Sequence, residues 1–149
     1  MYLDGNVISS IQAGLIALVG IGIDDTIKEI EYCASKLLKM KLWDRQSDGA
    51  TWRESVIDRN YDILLVSQLT LMADVSSNKT DYRKAMPAST ASQMFDTFTE
   101  YCKRLIPSSS SSKIHKGMFQ AYMNVSISND GPVTIILESK TKPAIVELH

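Results

Sequence analysis

Ile63-Leu64-Leu65-Val66-Ser67-Gln68-Leu69-Thr70-Leu71 is the stretch that decides how this chain folds. Four consecutive apolar residues without alternation describe a strand covered on both faces. Serine, glutamine and threonine then follow at once. Three hydrogen-bonding side chains at the end of a buried strand need partners. Either they satisfy neighbouring backbone groups or they face a site. Leu15-Ile16-Ala17-Leu18-Val19, held between Gly14 and Gly20, repeats the doubly buried pattern. Val7-Ile8 reads as a shorter strand before it.

Helical signals lie between and after these strands. Thr26-Ile27-Lys28-Glu29 fits a capping box. Ile27, Ile30, Cys33/Ala34, Leu37 and Leu38 then recur at helical spacing to about Met40, so one face packs on a sheet. A second helix is predicted from Thr90 to Ile106, with Thr90-x-x-Gln93 as its cap and Met94, Phe95, Phe98, Tyr101/Cys102 and Leu105 as its apolar stripe. Pro107 ends it. Leu42-Trp43 and Trp52 flank a Gln46-Ser47-Asp48-Gly49 turn, a short hairpin or irregular excursion. Asp74 to Ala88 is polar and reads as a long loop, and Ser108 to Ser112 as a mobile connector.

The last third carries a clear two-residue period. Phe119, Ala121, Met123, Val125 and Ile127 fall on one face, and Gln120, Tyr122, Asn124, Ser126 and Ser128 on the other. Asn129-Asp130-Gly131-Pro132 breaks the strand before Val133 to Leu137, which predicts an antiparallel hairpin. Lys140 to His149 is assigned no element. The sum is an α+β domain over residues 1–149, mostly antiparallel, with two main helices on one side of the sheet.

Composition narrows function. With 149 residues, 44% hydrophobic and 22% charged, the chain is an ordinary globular domain that needs no disulfide or metal to fold. Lys and Arg number 16 against 17 Asp and Glu, which excludes non-specific coating of nucleic acid but not the grip of a short nucleic-acid end. No signal peptide or membrane span is read, so a cytoplasmic location is expected. Cys33 and Cys102 sit on apolar helical faces and read as buried reduced thiols. No Cys/His cluster suggests a metal, and no cofactor is expected. Gly20-Ile21-Gly22 lacks the third glycine of a dinucleotide fingerprint. His115 reads as a solvated histidine, and no GxSxG, Walker loop or HExxH occurs. Lys79, Arg83, Lys84, Lys113 and Lys116 are solvated charges or phosphate contacts.

Asn129-Asp130-Gly131-Pro132-Val133-Thr134 holds more than a tight turn requires. Asp-Gly suffices for the turn, while Pro132 removes an amide donor and permits a cis bond. With Ser67-Gln68-Leu69-Thr70 this segment resembles the paired SQxT and NxGPxT motifs of the D-aminoacyl-tRNA deacylase (D-tyrosyl-tRNA deacylase) family. The resemblance extends through Gly14 to Gly22, Asp24-Asp25-Thr26, Asn78 to Pro87 and Phe119 to Ser126. It implies a β-barrel-like α+β fold and a homodimer with active sites at the subunit interface. The implied reaction is hydrolysis of the ester joining a D-amino acid, or glycine, to the terminal adenosine of tRNA.

By that resemblance, the Gly131-Pro132 pair, in the cis form, projects into the partner subunit's site and rejects L-amino acids by clash. Asn129 and Thr134 belong to the same motif. Ser67, Gln68, Leu69 and Thr70 line the pocket around the ester, where their amides can stabilise the oxyanion. Thr70 is a nucleophile or a positioner; with no base near it in the chain, positioning of water or the substrate amine is preferred. Phe119, Ala121 and Met123 line the adenosine side or simply pack the core. Leu69 stands where the family usually has Phe, and Thr80 where it commonly has Pro. The family's first strand, with its arginine, is expected to be missing, which implies weaker dimerisation or activity. The alternatives are a related L-aminoacyl-tRNA proofreader, in which proline replaces the motif serine and against which Ser67 argues, and a non-catalytic RNA-binding protein on the same fold.

Overall fold

Strand β4, Asp62–Ser67, is the middle of a three-stranded sheet in the computed structural model, which describes residues 1–139. It is flanked by β3, Gly14–Val19, and β7, Ile114–Lys116, and both neighbours run parallel to it. Leu15 pairs with Ile63 and Val19 with Ser67, while Ile63 pairs with Ile114. The tail from Lys140 to His149 lies outside the described residues. Ile63 to Val66 are all buried, as their unbroken apolar run predicts. Ile63 and Leu65 point into one core, and Leu64 and Val66 into another, as the two-residue period of a strand demands. The β3 strand is only half-buried, and Leu18 is 46% exposed, because it forms the sheet edge. Gly14 lets the two strands meet. A Cβ there would lie 1.9 Å from the Asp62 carbonyl oxygen.

The expected mostly antiparallel, barrel-like arrangement is corrected. Among the described residues the main sheet is parallel and open. Antiparallel pairing of strands is confined to two small hairpins, β1 (Tyr2–Leu3) with β2 (Asn6–Val7) and β5 (Asp74–Ser76) with β6 (Lys79–Asp81). Parallel neighbours need long crossovers, and here these carry the two helices. Helix α1, Ile27–Lys39, lies between β3 and β4, and α2, Ala88–Leu105, between β4 and β7. Both pack on the same sheet face: Ile30, Ala34, Leu37 and Leu38 join Phe95, Phe98 and Cys102 around Ile63 and Leu65. The two-helices-on-one-side arrangement therefore stands.

The capping box of α1 is formed. The Thr26 amide donates to Glu29 at 2.6 Å, and Thr26 Oγ1 accepts from the Lys28 amide at 3.3 Å. For α2 the expected cap is wrong. Pro87 is the N-cap, its carbonyl accepts from Ala91 at 2.8 Å, and Thr90 lies inside the helix. The loop expected over Asp74 to Ala88 contains the β5–β6 hairpin, turned by Ser77 and Asn78, both with positive φ; that pair of conformations suits a tight two-residue turn. Nor is the serine run a free connector. Asn60 Oδ1 accepts from Ser110 Oγ and from the Ser111 amide, each at 3.2 Å, and Ser112 is buried.

The hairpin expected from Phe119 to Leu137 is not formed as a ladder. Among the described residues only Tyr2 and Asn124 bridge in this segment, through amide–carbonyl bonds of 2.8 and 2.9 Å. The alternation survives in burial. Ala121, Met123 and Val125 are half-buried, while Gln120, Tyr122 and Asn124 are exposed. Ladder pairing needs a second strand in register, whereas burial needs only a core to face, here that of Leu64 and Val66. The Gln46–Gly49 turn lies in the irregular excursion, which has one bridge, Trp43 with Glu54.

Candidate functional site

The buried β4 strand delivers Ser67 to the carboxyl end of the sheet. There the Gln68 amide donates to Val19 O at 2.8 Å, and the chain turns into a 3-10 segment, Leu69–Met72. Gly20 accommodates that turn, because a Cβ at this position would sit 2.9 Å from Leu71 Cβ and 3.1 Å from Met72 Cε. The Gln68 side-chain amide donates to Thr70 Oγ1 and fixes both side chains relative to each other. Among the described residues, no acceptor takes the amides of Leu69 and Thr70.

These residues form one wall of a cavity of about 310 Å³. Val19 and Ile21 contribute from the end of β3, Ala85, Met86, Ala88 and Ala91 from the approach to and first turns of α2, and Met118 to Met123 from the chain after β7. The Met86 amide donates to Ile21 O at 3.0 Å and the Ile23 amide to Lys84 O at 2.8 Å, which seats the second wall beside β3. Asp25 Oδ2 accepts from the Gly22 amide at 2.7 Å and holds the intervening turn. Among the described residues, no carboxylate, imidazole, lysine or arginine lines the cavity, and Tyr122 is its one ionisable side chain.

The fold thus brings together Ser67, Gln68, Leu69, Thr70, Phe119, Ala121 and Met123. Phe119 serves both readings. It lines the cavity and also packs on Phe95, with ring centroids 6.0 Å apart. Asn129, Gly131, Pro132 and Thr134 are not brought to this cavity; all are exposed. Asn129 organises that segment. Its Oδ1 accepts from the Val133 amide and its Nδ2 donates to Thr134 Oγ1, each at 3.3 Å, around a cis Gly131–Pro132 bond. The remaining lining residues are mostly apolar and scattered along the chain. Of these, the stretches Gly14 to Gly22, Asn78 to Pro87 and Phe119 to Ser126 carried a signal through resemblance, while Ala88, Ala91 and Met118 carried none.

His115 is half-buried rather than fully solvated. Its Nε2 lies 3.3 Å from Asp62 Oδ2, at the opposite end of β4 from Ser67. The two thiols are poor nucleophiles. Burial pushes Cys33 up and Cys102 up to about 12. Among the described residues, no three His, Cys, Asp or Glu side chains gather as metal ligands, and no helix is long and apolar enough to cross a membrane.

The profile of the D-Tyr-tRNA(Tyr) deacylase family matches residues 1–138. A "D-aminoacyl-tRNA deacylase" of Dictyostelium discoideum is 43% identical over 139 residues, covering 93% of this chain and 90% of that protein. A "D-aminoacyl-tRNA deacylase 1" of Leishmania major is 40% identical over 139 residues, with the same coverage of 93% and 90%. The solved structure of the "c-Myc DNA Unwinding Element Binding Protein" superposes with a TM-score of 0.86 at 40% identity, covering 94% of this chain and 91% of that one.

Proposed function

The chain belongs to the D-Tyr-tRNA(Tyr) deacylase family, and from that premise we propose that it hydrolyses the ester of D-aminoacyl-tRNA, releasing a free D-amino acid and tRNA in the cytoplasm. The observation that carries the reading is the cavity between the Ser67–Thr70 wall and Phe119–Met123. It has polar groups on one side for an ester and an apolar, aromatic side for a nucleoside. Aromatic contact with a base contributes roughly 1–3 kcal/mol.

Water attacks the ester carbonyl, and negative charge develops on its oxygen. The amides of Leu69 and Thr70, unpaired among the described residues, are the donors for that oxyanion. One such donor contributes about 3 kcal/mol. The Gln68 amide is engaged with Val19 O and takes no part. A nucleophilic threonine needs an adjacent base, and among the described residues the cavity lining offers none. Thr70 Oγ1 accepts from Gln68 and so keeps its own proton to donate. That suits a group which positions water or the substrate amine. Proton transfer then falls to the substrate, whose terminal adenosine carries a 2′-hydroxyl beside the ester.

Chirality enters through the exposed Gly131-Pro132 segment. Because it stands away from its own cavity lining, it serves the cavity of a second copy, where it leaves no space for an L side chain while glycine passes. The protein is on this reading a homodimer. The test offers D-aminoacyl-, L-aminoacyl- and glycyl-tRNA to the purified protein and follows ester cleavage. Loss of the D and glycyl esters with the L ester spared is expected. Cleavage of the L ester alone indicates the proofreading relative, and binding without cleavage indicates a non-catalytic RNA-binding protein.

A further inference from the structure

We propose that the β5–β6 hairpin is a phosphate-contact arm, in which Lys79 and Arg83 hold the backbone of the single-stranded RNA end whose terminal ester enters the cavity. The proposal rests on the RNA substrate class argued above, and it separates the five basic residues that the sequence leaves equivalent.

The hairpin is rooted in both walls of the cavity. β5 begins straight after the Leu69–Met72 segment, where the Ala73 amide donates to Thr70 O at 3.2 Å. β6 leads through Tyr82 to Ala85 and Met86, which line the opposite wall. Lys84 Nζ and Asp74 Oδ2, 2.7 Å apart, close its base.

Its cations have capacity to spare. Lys79 makes no ion pair among the described residues, and Arg83 is 91% exposed. Among the described residues Arg83 uses only its side-chain Nε, on Asp81 at 2.6 Å, so its two terminal nitrogens remain for a phosphate. An exposed ion pair of this kind holds its partner weakly. The other two bases are placed differently. Lys116 lies outside the hairpin, on β7, where its Nζ reaches Asp96 Oδ1 on α2 at 2.6 Å. The Lys113 carbonyl accepts from the Ile63 amide, which puts Lys113 at the opposite end of β4 from Ser67, roughly 15 Å along the strand.

Each phosphate held by a single strand contributes about −0.7 to the slope of log affinity against log salt. The experiment compares the unaltered protein with Lys79→Gln/Arg83→Gln, both changes lying on exposed side chains. Two measurements are made across a salt series: binding of uncharged tRNA by fluorescence anisotropy, and kcat/KM on D-aminoacyl-tRNA relative to a D-aminoacyl-adenosine ester, which has no phosphate. The variant is expected to flatten the binding slope by about 1.4 and to lower the ratio of the two kcat/KM values. An unchanged slope, or equal losses on both substrates, overturns the proposal. If the unaltered protein cleaves neither ester while the slope still falls, the hydrolase reading fails and the arm stands.

Discussion

At Gly14 a hydrogen occupies a position where a Cβ would meet the Asp62 carbonyl oxygen at 1.9 Å. The contact is to backbone, so no rotamer relieves it. Gly14→Ala is expected to pry β3 from β4 and destabilise the protein by about 1–3 kcal/mol, read as a fall in Tm. Asp58 is a second residue with a measurable consequence. Its carboxylate accepts from Lys41 Nζ at 2.6 Å, from the Ser55 amide at 2.8 Å and from Ser55 Oγ at 2.9 Å, and its pKa is held down to about 2. The folded value lies below the unfolded one near 3.9. The stabilisation is therefore present above about pH 4 and is lost as the pH falls toward 2. The side chain is 43% exposed, so solvent screening reduces the effect to about 1 kcal/mol. Acid titration of Asp58→Asn should lose that part of the stability change and keep the rest.

Among the elements, the two helices begin by different devices. Thr26 caps α1 through side-chain bonds, whereas α2 starts at Pro87 with no side-chain cap. Thr26→Ala is expected to cost about 1 kcal/mol. Thr90→Ala, inside α2 and exposed, should fall within about 0.5 kcal/mol of zero. Chemical denaturation midpoints of the two variants check the pair, and equal losses would mean that Thr90 caps the helix after all. Where α1 and α2 meet the sheet, Phe95 is 1% exposed. Phe95→Ala should cost about 3–5 kcal/mol. Because Phe95 also supports Phe119 in the cavity wall, that variant is expected to weaken substrate binding at temperatures where it remains folded, a rise in KM larger than any fall in kcat.

For the whole molecule, the two faces of the sheet are unequal. Helices cover one side, while the other carries the Met1, Leu64 and Val66 cluster with Met123 and Val125. Beyond Val125, Ile127 is 55% exposed and Ile136 77% exposed, while Leu137 packs on the helix-side core. Sedimentation should therefore give the mass of two copies, and charged substitutions at Ile127 and Ile136 should shift it toward one. A single-copy mass for the unaltered protein would remove the proposed cross-subunit filter.

Short-range patterns in the chain were sufficient for the α1 cap, the doubly buried β4, the apolar stripes of both helices and the turn at Asn129 to Pro132, because each depends on residues a few positions apart. The same local information placed Ser67, Gln68 and Thr70 together, since they follow one another at the end of a strand. It was not sufficient for strand direction. The Phe119 alternation marks which side chains face a core, but the bridge of Asn124 to Tyr2 and the parallel pairing of Ile114–Lys116 with β4 join segments far apart along the chain. Nor could it join Thr70 to Ala85 and Phe119 around one cavity, or separate Gly131 and Pro132 from it. Those placements follow from how the crossover helices settle on the sheet, a balance of contacts between segments distant along the chain, and only the tertiary structure decided them.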